Sequence, residues 1–341
     1  MRIIFTYCLT LMLIFFVFNT VNADLKNNLV ANYTLDGHCL DKSGNNNNGK
    51  CTETSEPLYS MGKYYKAGIF DGIETRIATG IDRASMQDFT ICGWYKFQGT
   101  INDHFRALFG NIEGTFFVGK DSGTSNIGVQ DGEYIPNFAT DTNAWDGNWH
   151  HLCYTRRESI SKIGSIFLDG ERVSESSFSG GSSEMYIGFE NGDPDNFSFK
   201  GLIDSVLIFN KGLSELEILS IYQNTPPQAE EIMNIEVYNN EITLNASNST
   251  DIDGDISSFE WYLKCRGNEK FNVSSQGLVT KILLQPGFYD GTLVLMDNYG
   301  ATSYSDFVIF SGIGVKGDIN ADGKIGLEET VYSLKAVSEL K

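Results

Sequence analysis

Short runs of apolar and β-branched residues, separated by turns rich in Gly, Asn and Ser, occupy the chain from about residue 24 to residue 223. Many short strands at regular spacing predict a two-sheet sandwich. Examples of these runs are residues 29–35, 89–95, 151–155, 163–168 and 202–209. Alternation within the second run predicts one face formed by Phe89, Ile91, Gly93 and Tyr95 and an opposite face formed by Thr90, Cys92 and Trp94.

The pattern changes twice after this region. Residues 214–222 have helical spacing, and Thr225, Pro226 and Pro227 then mark a linker. Strand-like runs resume up to about residue 311, and a final stretch spaces its apolar residues by three and four, as an amphipathic helix does. These apolar residues are Leu327, Val331, Leu334, Val337 and Leu340. The pattern predicts an all-β class, with a large two-sheet sandwich, a smaller strand-rich region and a short C-terminal loop and helix.

The first 23 residues have the features of a secretory signal peptide. Arg2 supplies the positive end, residues 3–18 form the apolar core, and Val21-Asn-Ala23 fits a small-residue cleavage site. The apolar run is shorter than the roughly 20 residues that a membrane span requires. The expected domains are therefore residues 1–23 (signal), 24–224, 225–312 and 313–341, and a secreted or cell-surface protein with no membrane span after cleavage is expected.

Residues 318–329 match the twelve-residue calcium loop of EF-hands. Asp318, Asn320 and Asp322 stand at loop positions 1, 3 and 5, Lys324 offers its carbonyl at position 7, and Glu329 stands at position 12. A strand-like segment precedes the loop, so the pattern predicts one loop with one helix rather than a complete EF-hand. The expected ligand is Ca²⁺, and the alternative is a solvated acidic turn.

The formal net charge of −19 narrows the choice of partners. A strongly acidic chain argues against binding to nucleic acid or to anionic membranes. Five cysteines follow the signal, and their spacing fits no zinc motif. Export favours disulfides. The odd count leaves one cysteine unpaired, and Cys265 is the candidate because it lies apart from the other four.

The first region contains the opening run 29–49 with Asp36 and Asp41, then the phrases 70–72, 89–94, 149–153, 167–170 and 200–210. Together these phrases resemble laminin-G-like, concanavalin A-like domains, which implies a jelly-roll sandwich. The cysteine-bearing phrases 89–92 and 149–153 are also similar to pentraxins, in which the two cysteines bridge adjacent strands. This resemblance implies a Cys92–Cys153 disulfide. Cys39 and Cys51 flank the Asn-rich loop and are expected to pair as well.

In the resembled family a calcium ion commonly lies near this loop and the strand that carries Asp204. The resemblance therefore implies Asp36, Asp41 and Asp204 as calcium ligands, with a hydrogen-bonded turn as the alternative. The acidic residues 190–195 lie where pentraxins bear part of their calcium site, but a solvated hairpin tip also explains them. Aromatic residues such as Tyr134, Phe138 and Trp145 are possible sugar platforms, and strand-entry packing is the alternative for Trp145.

Two further resemblances concern the C-terminal part of the chain. Residues 227–311 contain a turn with Asp251, Asp253 and Asp255, followed by Trp261 and by residues 297–302. In these features they resemble a polycystic-kidney-disease (PKD) type domain, which implies a smaller immunoglobulin-like sandwich that is usually a spacer. Calcium binding and turn formation explain these three acids equally well. Residues 317–325 resemble half of a dockerin, which implies a possible cohesin-like partner for the tail.

No catalytic constellation is evident in the sequence. Glucanases of the resembled fold carry their carboxylates in Glu-x-Asp-x-x-Glu or Glu-x-Asp-x-Glu phrases, and the chain has neither. It also lacks a Gly-x-Ser-x-Gly elbow. The predicted function is non-catalytic, calcium-dependent recognition of an extracellular glycan or a surface protein. The alternatives are a structural adhesion or scaffold component without sugar affinity and, less favoured, a polysaccharide-degrading enzyme.

Overall fold

The computed structural model describes residues 25–51, 56–100, 104–132, 144–178, 183–189, 197–229, 236–238, 241–252, 254–299 and 301–311. These residues divide into two compact units. The first comprises the described residues up to Asn224 with the segment Asn298–Ala301, and the second comprises the rest from Thr225. The predicted signal peptide and the predicted calcium loop lie outside the described residues.

The first unit is a sandwich of two antiparallel sheets. Its strands are β1 Leu29–Tyr33, β2 Leu58–Met61, β3 Lys66–Asp71, β4 Ile77–Asp82, β5 Asp88–Phe97, β6 Arg106–Gly110, β7 Phe116–Lys120, β8 Ile127–Asp131, β9 Trp149–Arg157, β10 Ile163–Leu168, β11 Glu171–Ser177, β12 Glu184–Ile187 and β13 Lys200–Phe209. The larger sheet has the order β11-β10-β9-β5-β13-β3-β2, with β1 also paired to β13. The smaller sheet has the order β4-β12-β6-β7-β8.

The core of this unit lies between the two sheets and follows the predicted alternation. Phe89, Ile91 and Tyr95 of β5 point into it, together with Phe109 of β6 and Phe116 of β7. The intervening β5 residue Cys92 belongs to a second apolar cluster on the opposite face of the larger sheet. A shift of one residue in the pairing of β5 would exchange the residues on its two faces, so this burial fixes the register.

The helix α1 (Glu215–Gln223) packs on that opposite face. Ser214 caps its N-terminus and forms a capping box with Glu217, which satisfies two otherwise unpaired amides. Ile218 and Ile221 are the buried residues that join the outer cluster. The helix therefore covers the part of the larger sheet that carries Cys92 and Cys153.

The second unit has two sheets around a smaller core. Its strands are β14 Glu236–Tyr238, β15 Glu241–Asn245, β16 Ile256–Cys265, β17 Val273–Gln276, β18 Val279–Leu283, β19 Gly287–Asp297 and β20 Thr302–Ser311. The sheets have the orders β14-β15-β18 and β17-β16-β19-β20. Trp261 is fully buried in the core, and its indole N–H donates to the carbonyl of Gly277 at 2.9 Å. The all-β class predicted from the sequence is confirmed in both units.

No helix in the described part of the chain is long and apolar enough to cross a membrane.

Candidate functional site

Asp204 is a buried carboxylate on β13, an interior strand of the larger sheet. Its side chain is 1% exposed. One oxygen, Oδ2, accepts the backbone N–H groups of Lys63 at 2.8 Å and Tyr64 at 3.0 Å, and Oδ1 accepts the hydroxyl of Ser205 at 3.0 Å. Burial, which disfavours the charged form, and then the nearby charge of Asp36 raise the pKa of Asp204 to about 7 against the opposing effect of these hydrogen bonds.

Asp36 approaches Asp204 from the turn that follows β1. Its Oδ1 accepts the backbone N–H of Lys66 at 3.1 Å, so both carboxylates hold the hairpin between β2 and β3. Gly62 of this hairpin leaves room for the pair, since a Cβ there would lie 2.6 Å from Oδ2 of Asp204 and 2.5 Å from the carbonyl oxygen of Lys66. The fold thus brings together two of the three acids that the family resemblance implied as ligands.

Asp41, the third implied ligand, is held inside its own loop. Its Oδ1 accepts the backbone N–H groups of Asn32 at 2.9 Å and Ser43 at 2.8 Å, and its Oδ2 accepts the Ser43 hydroxyl and the Asn47 N–H, both at 2.9 Å. Four donors saturate this carboxylate. The contacts correspond to the hydrogen-bonded turn that the sequence analysis left open for this acid.

The structure contains the disulfides Cys39–Cys51 and Cys92–Cys153. The first closes the Asn-rich loop that holds Asp41. The second links β5 to β9, where Cys92 and Cys153 are directly opposite each other in the register. The remaining cysteine among the described residues, Cys265, is free and buried in the second unit.

His151 lies beside the second disulfide, and this group does not constitute a metal site. Ligand atoms of Cys92, His151 and Cys153 lie within 4.8 Å of one another. Both sulfurs are committed to the disulfide, however, so neither can act as a thiolate ligand. Burial lowers the pKa of His151 to about 4, which keeps the imidazole neutral at physiological pH.

An aromatic cluster adjoins the acid pair on the same face of the sheet. The ring of Trp94 stacks on Tyr222 of α1 with centroids 5.6 Å apart and meets the edge of Tyr64 at 6.1 Å. The ammonium of Lys63 lies 4.1 Å from the Trp94 ring centroid. Lys63 and Tyr64 therefore contact Asp204 through their backbones and Trp94 through their side chains. The sequence analysis did not predict this hairpin, because its contacts join residues about 140 positions apart.

A second group of charged side chains surrounds His150. Its Nδ1 lies 2.8 Å from Asp169 Oδ2 and its Nε2 lies 3.1 Å from Asp146 Oδ1. The hydrogen bond to Asp169 and then the one to Asp146 raise the pKa of His150 against the opposing effect of burial. Through these two contacts His150 connects the turn before β9 to the β10–β11 turn. We therefore assign His150 a structural role.

Trp145 is a buried packing residue, not an exposed platform for a sugar. It is 5% exposed, packs against Tyr95 and Phe97, and donates its indole N–H to the carbonyl of Asn126 at 3.1 Å. Tyr134, Phe138, the acidic residues 190–195 and Asp253 lie outside the described residues. The same is true of the loop ligands Asp318, Asn320, Asp322, Lys324 and Glu329.

Comparisons with known proteins agree with the architecture of the first unit. Residues 71–219 match the family model described as the concanavalin A-like lectin/glucanases superfamily. A search of curated proteins found no match.

Among solved structures, domain 4 of AbnA, a GH43 extracellular arabinanase from Geobacillus stearothermophilus in complex with arabinotriose, matches 57% of this chain and 98% of its own, with 20% identity and a TM-score of 0.46. The binding domain of Paraclostridial Mosquitocidal Protein 1 matches 79% of this chain and 78% of its own, with 15% identity and a TM-score of 0.48. The binding domain of botulinum neurotoxin DC in complex with SialylT matches 80% of this chain and 72% of its own, with 13% identity and a TM-score of 0.44. At these identities and TM-scores the similarity carries no functional assignment.

The sheet order and the family match agree on the same region of the chain. The match spans most of the strands of the larger sheet and all of the smaller one, from the end of β3 into α1. Residues 71–219 form a concanavalin A-like jelly-roll domain.

Proposed function

We propose that the protein is a secreted, non-catalytic recognition protein whose concanavalin A-like domain binds an extracellular glycan or cell surface with the help of Ca²⁺. The observation that carries this proposal is the pairing of Asp204 and Asp36 on the face of the larger sheet. A fully buried carboxylate next to a second carboxylate is unfavourable unless a proton or a cation neutralises it.

The residues at this pair fit a hard divalent cation. Calcium takes six to eight oxygen ligands, and carboxylates, backbone carbonyls and water supply them. Asp36 and Asp204 would provide the charged ligands, and Gly62 would keep the space beside them open. Asp41 would support the neighbouring loop instead of the ion. A bound calcium would offer positive charge and open coordination positions for the hydroxyl groups of a sugar.

The surface around the pair has the mixed character that suits a glycan. Met61 is 78% exposed and Tyr65 is 37% exposed, and both lie on the hairpin that Asp36 and Asp204 fix. The ammonium of Lys66 lies 5.1 Å from the Tyr65 ring centroid. An aromatic face with adjacent polar groups can receive both the apolar and the hydroxyl-bearing sides of a sugar ring.

The other segments of the chain would have supporting roles. The signal peptide would direct export, the second unit would act as a PKD-type spacer, and the loop at residues 318–329 would hold a second calcium through Asp318, Asn320, Asp322, Lys324 and Glu329. The half-dockerin tail would fasten the chain to a cohesin-like partner or another surface protein. The location would be extracellular or at the cell surface.

A structural adhesion or scaffold role without sugar affinity is the alternative. A glycan array probed with the full-length mature protein in calcium separates the two, because the alternative expects no sugar to bind. Cleavage of a polysaccharide that vanishes on substitution of a carboxylate would instead favour the enzyme hypothesis.

The test of the metal site is the double variant Asp36→Ala with Asp204→Ala. Calcium should stabilise the wild-type protein by mass action, by about 2.7 kcal/mol in the free energy of unfolding at a free concentration one hundred times the dissociation constant, and should therefore raise its melting temperature. The double variant should lose this response. Asp88→Asn is the control, because Asp88 is a carboxylate of the same unit that is held by the Ser159 backbone. An equal calcium response in wild type and double variant would remove the site from the first unit.

A further inference from the structure

The outward face of the four-stranded sheet in the second unit carries a hollow of about 440 Å³. It lies over β16, β19 and β20, and two cross-strand rows form it. One row is Lys264, Asp290 and Val308, and the other is Tyr262, Thr292 and Asp306.

The shape of the hollow follows from side-chain length. Residues that are opposite each other on one face of a sheet lie side by side. The middle strand β19 contributes the short side chains of Asp290 and Thr292 as a floor. The long side chains of Tyr262 and Lys264 on β16 form one wall, and Asp306 and Val308 on β20 form the other. The rings of Phe288 and Phe310, with centroids 4.8 Å apart, make up the next row of the same face.

The chemistry of the lining is mixed, and its charges nearly cancel. Tyr262 is 40% exposed and Val308 is 56% exposed, so an apolar surface is accessible to solvent. Asp290 is neutralised by Arg266, whose Nε lies 3.0 Å from both carboxylate oxygens. Asp306 accepts the Thr292 hydroxyl at 2.8 Å and, like Lys264, forms no ion pair with a described residue.

We propose that this hollow is a second glycan-binding site, specific for a neutral oligosaccharide and independent of calcium. The Tyr262 ring would face the apolar C–H side of one sugar unit. Asp306 would accept sugar hydroxyl protons and Lys264 would donate to sugar oxygens. The carboxylates disfavour phosphate and other anionic ligands, and the lone ammonium balances Asp306, which together select an uncharged ligand. A hollow of this volume matches the range of small-ligand pockets.

This proposal does not depend on the calcium site of the first unit, and a chelator separates the two. The full-length mature protein would be stripped of metal with EDTA and tested by saturation-transfer NMR against neutral oligosaccharides of glucose, xylose, arabinose, mannose and N-acetylglucosamine. At least one should bind in EDTA. Saturation transfer should be strongest to the ring C–H protons of the sugar that binds.

Substitutions then locate the binding. Tyr262→Ala and Asp306→Asn should each weaken it about tenfold, the loss expected when one good contact is removed. Tyr262→Phe should largely preserve binding because the ring remains. Phe271→Ala is the matched control, since Phe271 is 36% exposed in the same unit and does not line the hollow.

Unchanged melting temperatures would show that the variants are folded. Failure of every neutral oligosaccharide to bind in EDTA at millimolar concentration would overturn the proposal, and so would equal binding by Tyr262→Ala and wild type. Sugar binding that appears only with calcium, and that Asp36→Ala with Asp204→Ala abolishes, would support the first-unit site and reject this one.

Discussion

Asp204 shows how the fold changes the chemistry of one residue. An aspartate in an unfolded chain has a pKa of about 3.9. In the sandwich, burial and then Asp36 raise the pKa of Asp204 to about 7, although three hydrogen bonds oppose the shift. Its carboxylate is therefore only partly ionised near neutral pH in the absence of a cation.

This shift predicts a pH dependence of stability in calcium-free protein. Between about pH 4 and pH 7 the folded state retains a proton that the unfolded state has lost, so the free energy of unfolding should fall as the pH rises. A shift of about three pKa units corresponds to at most about 4 kcal/mol across this window. Asp204→Asn should remove this contribution, because the amide does not titrate and can still accept the Lys63 and Tyr64 N–H groups. Chemical unfolding of both proteins in EDTA at several pH values measures the difference.

In the wild type, calcium should reduce this dependence of the free energy of unfolding on pH. A cation at the pair stabilises the ionised carboxylate, so the stability lost between pH 4 and pH 7 should return when calcium is added. A wild type whose stability follows that of Asp204→Asn at every pH in EDTA would show that burial does not perturb this carboxylate.

At the scale of elements, the two disulfides constrain different parts of the first unit. Cys92 and Cys153 are 61 residues apart and join the adjacent strands β5 and β9, whereas Cys39 and Cys51 are 12 apart and close a surface loop. The β5–β9 link is completely buried under α1, in the outer apolar cluster. The Cys92–Cys153 disulfide therefore contributes to stability both through chain entropy and through packing.

Because the two disulfides close loops of different length, removing each should lower the free energy of unfolding by a different amount. On the chain-entropy model, loss of Cys92–Cys153 should cost about 4 kcal/mol and loss of Cys39–Cys51 about 3 kcal/mol. The variants are the double substitutions Cys92→Ala with Cys153→Ala and Cys39→Ala with Cys51→Ala. Denaturant midpoints and slopes would measure both, with Cys265→Ala as the cysteine control. A larger loss from the Cys39–Cys51 pair would argue against the entropic account.

At the scale of the whole molecule, the chain has two compact units, and the sequence predicts a calcium loop at residues 318–329. The tail motif begins at residue 318, after the last described strand ends at Ser311. Because the predicted ligands all come from this short segment of the sequence, we expect its calcium site to be separable from the sandwiches.

A truncation after Ser311 tests this separation. Calorimetric titration of metal-free protein with calcium should show one site fewer in the truncated chain than in the full-length mature chain. Asp318→Ala with Glu329→Ala in the full chain should reproduce the loss without shortening the chain, because it deletes the predicted ligands at positions 1 and 12. Equal stoichiometry in all three proteins would exclude the tail as a calcium site.

Some features could be predicted from the sequence because they depend on near neighbours. Alternation in β5 separated Phe89, Ile91 and Tyr95 from Cys92, since successive side chains of a strand point to opposite faces. The helical spacing of residues 214–222 predicted α1 in the same way, and the structure adds the Ser214 cap. These patterns were sufficient for the all-β class.

The composition of the sites depends on the tertiary structure. Asp36, Asp41 and Asp204 were grouped by family resemblance, but only the packing of the β2–β3 hairpin brings Asp36 to Asp204 and leaves Asp41 in its own loop. The hollow over β16, β19 and β20 likewise requires the register that places Tyr262 and Thr292 beside Asp306. Local patterns specify strands and turns, whereas burial, pKa and pocket shape arise from contacts between residues far apart in the sequence, which no local pattern encodes.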